Sequence, residues 1–168
     1  KEGLFKIFGI AGNLDDMDTS LKNEQSRTIC KNIRECEEPW KILMIHQPLV
    51  SPGEHGCLKD SNERYVKNII KNGIDLVCSG HDHLQACASM NIGNRDVIQV
   101  VNGAGAKQYY DDPNDHVHPE YINNKRGYNL LHCNTELGYC QFDMKPKSLK
   151  IDFLNNNNDI LFSHKLLK

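Results

Sequence analysis

The sequence predicts a mixed α/β (α+β) fold, with a parallel βαβ unit followed by antiparallel strands. Three observations lead there. An apolar run at 41–45, a loop, an amphipathic segment and a second apolar run at 74–78 follow in that order. Strand, loop, helix, strand is the arrangement that parallel pairing with a right-handed crossover requires. The character then changes. Six short β-rich segments follow, at 85–90, 97–102, 128–132, 139–144, 149–154 and 160–164, and the last three read as an antiparallel meander. Finally, 168 residues at 39% hydrophobic and 25% charged suit one domain with a core and leave little room for two.

Each element has a local reason. Residues 4–11 are apolar and β-rich, and Gly12-Asn13-Leu14-Asp15-Asp16 closes them as a loop. From about 20 to 38 the pattern is helical, with Leu21, Ile29, Ile33 and Cys36 approximating one face and Pro39 as the stop. The run 41–45 is short and bounded by turn signals, as a buried strand would be. A Pro- and Gly-bearing loop fills 48–59. Asp60-Ser61-Asn62-Glu63 reads as a helix N-cap with a carboxylate three residues on. Val66, Ile69 and Ile70 form the apolar face of that helix, and Gly73 is its expected C-terminal glycine. The stretch 107–125 reads as a long surface loop, and 155–158 as a polar turn.

Composition excludes several classes. The net charge is −2 and the basic residues are spread along the chain, so no basic stripe for nucleic acid is expected. No apolar run approaches 18 residues, so no membrane span is expected. Seven cysteines include no C-x-x-C pair, which argues against a zinc ribbon. Cys78 reads as a small buried hydrophobe, and Cys133 and Cys140 as flanking a hairpin that they could bridge. The chain starts at Lys1-Glu2 without Met, which reads as a processed end or an edge.

Ligands of open parallel sheets bind beyond the carboxyl ends of the strands. His46 follows the run 41–45, and Ser79-Gly80-His81-Asp82-His83 follows the run 74–78. The crossover puts both strand ends on one rim, so three imidazoles from distant positions converge. Imidazole is the commonest protein ligand for zinc and iron. His55, in Pro52-Gly53-Glu54-His55-Gly56, overhangs the same rim and is placed to act on a substrate. His116 and His118 lack a preceding strand and read as loop residues. His132 and His164 lie in strand patterns and read as structural. Gly103-Ala104-Gly105-Ala106 reads as a close backbone approach.

These motifs resemble a known family. His46 closing a hydrophobic strand and Gly80-His81-Asp82-His83 are similar to the last two motifs of calcineurin-like metallophosphoesterases. The loop 12–16, the nine-residue step from His46 to His55, Leu84-Gln85 after the His pair and Asn102-Gly103-Ala104-Gly105 resemble the tartrate-resistant type of purple acid phosphatase. The resemblance runs through essentially the whole chain and implies half of a metallophosphoesterase β-sandwich flanked by helices.

It also implies a binuclear metal centre of Fe(III) plus a divalent ion (Fe, Zn or Mn). His46 and His81 would bind the divalent ion and His83 the ferric ion. His55 would contact the substrate phosphate and protonate the leaving group, while a metal-activated hydroxide attacks phosphorus in line. Asp82 matches a family position that orients neighbouring ligands. The family's early Asp, its Gly-Asp-x-x-Tyr segment and its Gly-Asn-His-[Asp/Glu] motif are not in this sequence. Two nearby cations need carboxylates between them. Residues 1–168 are therefore expected to form the carboxyl-terminal half of one domain, inactive alone. The expected partners are the amino-terminal half, as a separate chain or cleaved fragment, and a phosphomonoester substrate. Without its strands, the run 41–45 is expected to lack a pairing partner. The resemblance implies a secretory, extracellular, lysosomal or vacuolar location. The alternative is a non-catalytic binding or assembly module.

Overall fold

A computed structural model describes residues 3–10, 14–107 and 116–168. The elements run β1 (Phe5–Gly9), α1 (Thr19–Glu35), β2 (Trp40–Met44), α2 (Asp60–Ile70), β3 (Leu76–Ser79), β4 (Gln85–Ile92) and β5 (Arg95–Asn102). A short α3 (Glu120–Asn123) precedes β6 (Tyr128–Asn134), β7 (Gly138–Lys145), β8 (Ser148–Asn155) and β9 (Ile160–Leu167). The first six strands make one sheet in the order β1-β2-β3-β5-β4-β6, and the last three a second sheet, β7-β8-β9. β1, β2, β3 and β5 are mutually parallel, while β4 runs antiparallel to β5 and β6. The predicted βαβ unit is the β2–α2–β3 segment, whose strands are direct neighbours. The three-stranded sheet is the predicted meander.

Alternation along the strands builds three layers. Phe8, Leu43, Ile45 and Val77 point to one face, where Ile29 and Ile33 of α1 and Val66, Ile69 and Ile70 of α2 cover them. Trp40, Ile42, Leu76, Ile98 and Val100 point to the other, against Leu149, Ile151 and Phe153 of the small sheet. Two side chains bond across the sheets. The Trp40 indole N–H donates to the Lys145 carbonyl at 2.7 Å, and the Gln85 amide donates to the Leu154 carbonyl at 3.1 Å.

Several expectations need correction. The α1 helix ends at Glu35, short of Pro39, because the Cys36 N–H turns back to the Ile33 carbonyl. Leu21 is 52% exposed and lies off the buried face. Asp60 is the first residue of α2 rather than its cap. Lys59 holds the cap position without a side-chain bond. The strand expected to lack a partner is β2, yet it lies between β1 and β3, and the edge strands of the sheet are β1 and β6. Cys133 and Cys140 lie in β6 and β7, in different sheets, and all seven cysteines are free thiols. The stretch 107–125 carries α3, and its residues 108–115 lie outside the described residues. So do Ala11, at the end of the first predicted strand, and Gly12 and Asn13 of the predicted loop.

Candidate metal and catalytic site

The parallel pairing of β2 and β3 brings their carboxyl ends side by side. The Ile45 N–H donates to the Cys78 carbonyl at 3.0 Å and the Gly80 N–H to the His46 carbonyl at 3.1 Å. These bonds extend the ladder just past the strands and set His46 beside His81. His46 Nε2 and His81 Nδ1 are 3.1 Å apart, with ring centroids 4.9 Å apart.

The turn holding the His pair has unusual backbone geometry. His81 has φ +72°, a left-handed conformation that few non-glycine residues adopt. The turn is closed by bonds from the Asp82 N–H to the Gly80 carbonyl and from the Leu84 N–H to the Asp82 carbonyl, both 2.9 Å. Gly103 lies so close that a Cβ there would overlap the Asp82 carbonyl oxygen. The glycine-rich segment after β5 is thus the close backbone approach that its sequence predicts.

His55 arrives on the loop after His46. Gln99, buried in the middle of β5, accepts from the Leu49 N–H at 2.8 Å and donates to the Val50 carbonyl at 2.5 Å, which props the start of that loop. The Leu58 N–H donates to the Leu49 carbonyl at 3.1 Å and closes it. The His55 ring then lies 4.6 Å from that of His81 and 6.3 Å from that of His83. All four predicted site residues, His46, His55, His81 and His83, therefore form one cluster on one rim.

Burial holds the His81 pKa below the ordinary imidazole value, and the neighbouring imidazoles of His55 and His46 push it the same way. Burial and then the Lys107 charge lower that of His83. Both effects favour the neutral rings that a metal ion requires. His116 and His118 face carboxylates: their Nδ1 atoms lie 3.5 Å from Glu54 and 3.3 Å from Glu120 carboxylate oxygens. His132 stacks on Phe162 at 4.7 Å, a structural role.

Beside His55 and His81 opens a cavity of about 120 Å³, walled also by Gln47, Asp15, Lys59 and Asn62. Lys59 and the Asn62 amide each donate to Asp15 at 2.8 Å. The Lys59 hydrogen bond is the main cause of a lowered Asp15 pKa. Lys59 and Asn62 carried no signal in the sequence, because only the docking of α2 beside the loop at 14–16 makes them neighbours. Gln99 did leave a trace, as one polar residue inside the apolar run Val97-Ile98-Gln99-Val100.

Two nitrogens on one tetrahedral zinc stand about 3.3 Å apart, given bonds of about 2.0–2.1 Å. The His46–His81 spacing fits such a shared ion. Among the described residues, however, no group of three or more His, Cys, Asp or Glu side chains is arranged to hold a metal ion. The donors present thus suit part of one ion's shell and do not by themselves make a two-metal centre.

No family model matches the chain. Purple acid phosphatase 17 of Arabidopsis thaliana is 31% identical over 112 residues, which cover 67% of this chain and 28% of the relative. Tartrate-resistant acid phosphatase type 5 of Oryctolagus cuniculus is 25% identical over 152 residues, 88% of this chain and 44% of the relative. The chain belongs to the purple acid phosphatase family. It spans less than half the length of these family relatives.

Solved structures agree on the fold. The purple acid phosphatase PPD1 from yellow lupin (Lupinus luteus) seeds superposes with a TM-score of 0.65 at 14% identity, over 97% of this chain and 30% of that one. GAP50, the anchor in the inner membrane complex of Plasmodium, superposes with a TM-score of 0.69 at 15% identity, over 97% and 48%. The layered mixed sheet is the metallophosphoesterase-like fold of the purple acid phosphatases. Family membership implies a binuclear metal centre in general terms.

Proposed function

We propose that this chain supplies the carboxyl-terminal share of an acid phosphatase site that hydrolyses phosphomonoesters. In this reading His46 and His81 bind a divalent ion (Fe, Zn or Mn), His83 binds Fe(III), and His55 meets the substrate and protonates its leaving group. The remaining ligands come from an amino-terminal partner segment. The observation that carries the reading is the convergence of four imidazoles on one rim, two of them with nitrogens 3.1 Å apart.

The open edge of β1 supports the partner segment. Phe5 and Ile7 on that strand are 46% and 47% exposed. A groove of about 880 Å³ runs between β1 and α1. Strands of the rest of a phosphatase domain would pair with that edge and cover those side chains. No helix of the described residues is long and apolar enough to cross a membrane. A secretory, extracellular, lysosomal or vacuolar location belongs to the proposal and rests on family resemblance.

The test is metal analysis and a p-nitrophenyl phosphate assay on the full product of the gene encoding this chain. Two ions per molecule and an activity abolished by His81→Ala are expected. Absence of activity with iron, zinc and manganese supplied would sink the enzymatic reading.

The fold of GAP50, an anchor, favours a second reading, in which the phosphatase fold serves as a non-catalytic binding or assembly module. Fewer than two ions, and replacement of the Asp, Asn and His motifs in the amino-terminal segment, would favour it.

A further inference from the structure

The loop carrying His55 and the turn carrying His81 and His83 are far apart in sequence, and one side chain joins them. The His55 N–H donates to Asp82 Oδ1, 27 residues on, at 3.0 Å. Asp82 is fully buried, and its own backbone is fixed on both sides by the turn bonds to Gly80 and Leu84. Its carboxylate lies against the neighbouring loop. A Cβ on Gly53 would stand 2.6 Å from Asp82 Cγ, so that loop approaches the carboxylate as closely as only glycine permits. The Gly53 N–H in turn donates to Ser51 Oγ at 3.0 Å, and the Gly56 N–H to the Gly53 carbonyl at 2.9 Å. The tight turn 53–56 is therefore built around Asp82.

We propose that Asp82 is a positioning residue that sets the His55 ring against His81 and His83 by holding the His55 backbone. The bond is made to the main chain, so it fixes where the ring starts and leaves the His55 ring nitrogens out of the contact. The 4.6 Å and 6.3 Å ring separations follow from that anchor. The acceptor oxygen, rather than the charge, makes the contact. Asn at position 82 retains such an oxygen at the same reach, whereas Ala and Ser do not reach the loop. A purely electrostatic role toward the histidines predicts the opposite, that Asn fails as badly as Ala.

The placement claim stands on geometry alone, and its link to catalysis rests on the phosphatase reading above. Amide hydrogen exchange on the full gene product separates the two. In Asp82→Ala the His55 amide should exchange about tenfold faster or more, while β2 and β3 amides keep their protection. Asp82→Asn should restore the wild-type rate. If Asp82→Ala fails to fold, Asp82→Ser against Asp82→Asn gives the same comparison. Unchanged His55 exchange in a folded Ala or Ser variant, or loss of protection in Asp82→Asn equal to theirs, overturns the proposal. If the wild type hydrolyses p-nitrophenyl phosphate, Asp82→Ala should lower kcat about tenfold or more with both ions bound, and Asp82→Asn should recover it. A wild type without activity would reject the phosphatase reading and leave the exchange test of Asp82 intact.

Discussion

At the scale of single residues, the site depends on glycines that admit other residues' backbone or carboxylate. Gly103 faces the Asp82 carbonyl with no space for a methyl group. Gly103→Ala must therefore displace either β5 or the turn at 80–83, since neither contacting atom belongs to a flexible side chain. We expect a loss of about 2–4 kcal/mol in urea unfolding, with shifted His81 and His83 resonances. An unfolding midpoint equal to the wild type would refute this. His81 keeps its left-handed φ only because these neighbours over-determine the turn. None of that is visible from spacing. The Gly-His-x-His pattern shows which residues meet, while the strain that aims them arises from packing.

At the scale of elements, the helices show how far periodicity reaches. The α1 helix forms where an apolar stripe and the cap bond from the Leu21 N–H to Asp18 Oδ1 at 2.8 Å agree. Its stripe is narrower than the sequence suggests. Ile33 is fully buried in the helix-side core, whereas Leu21 faces the open groove beside β1. Ile33→Ala should cost about 2–5 kcal/mol in chemical denaturation, and Leu21→Ala less than about 0.5 kcal/mol. Equal costs would show that the groove is filled in solution. The α2 helix teaches the complementary lesson. Its Glu63 resembles half of a capping box in the sequence, but Lys67 one turn on along the same helix, at 2.7 Å, and two tertiary partners, Lys125 at 2.9 Å and the Tyr128 hydroxyl at 2.6 Å, capture it instead.

At the scale of the molecule, Glu63 links α2 to the segment before β6 and makes stability depend on pH. Burial would raise its pKa, but the hydrogen bonds from Lys67, Tyr128 and Lys125 outweigh burial and bring it down to about 2. A carboxylate depressed in the folded state stabilises fully above its unfolded pKa of about 4.3. That contribution is lost as pH falls from there towards about 2. Glu63→Gln should cost about 1–3 kcal/mol at pH 7 and flatten the pH dependence of unfolding between about pH 4.5 and 2. A variant whose acid limb matched the wild type would show that another group governs it. Burial lowers the pKa of His132, between the two sheets, so the unfolded chain takes up protons more readily as pH falls through about 6.5. Both groups place the stability optimum on the neutral side.

Sequence by itself determined the longer elements and the rim. Hydrophobic period and turn residues are local properties, so the βαβ unit, the meander, the placement of His46, His81 and His83 at strand ends and of His55 in the loop after the first are legible in the order of the residues alone. Tertiary structure decided which strands form the sheet edges, that Cys133 and Cys140 belong to different sheets, and that Lys59, Asn62 and Gln99 attend the site. It also decided that Asp82 ties the two histidine loops together. Those facts come from contacts between residues tens of positions apart. Their energies depend on burial and on a few tenths of an ångström, and no local pattern in the chain encodes either.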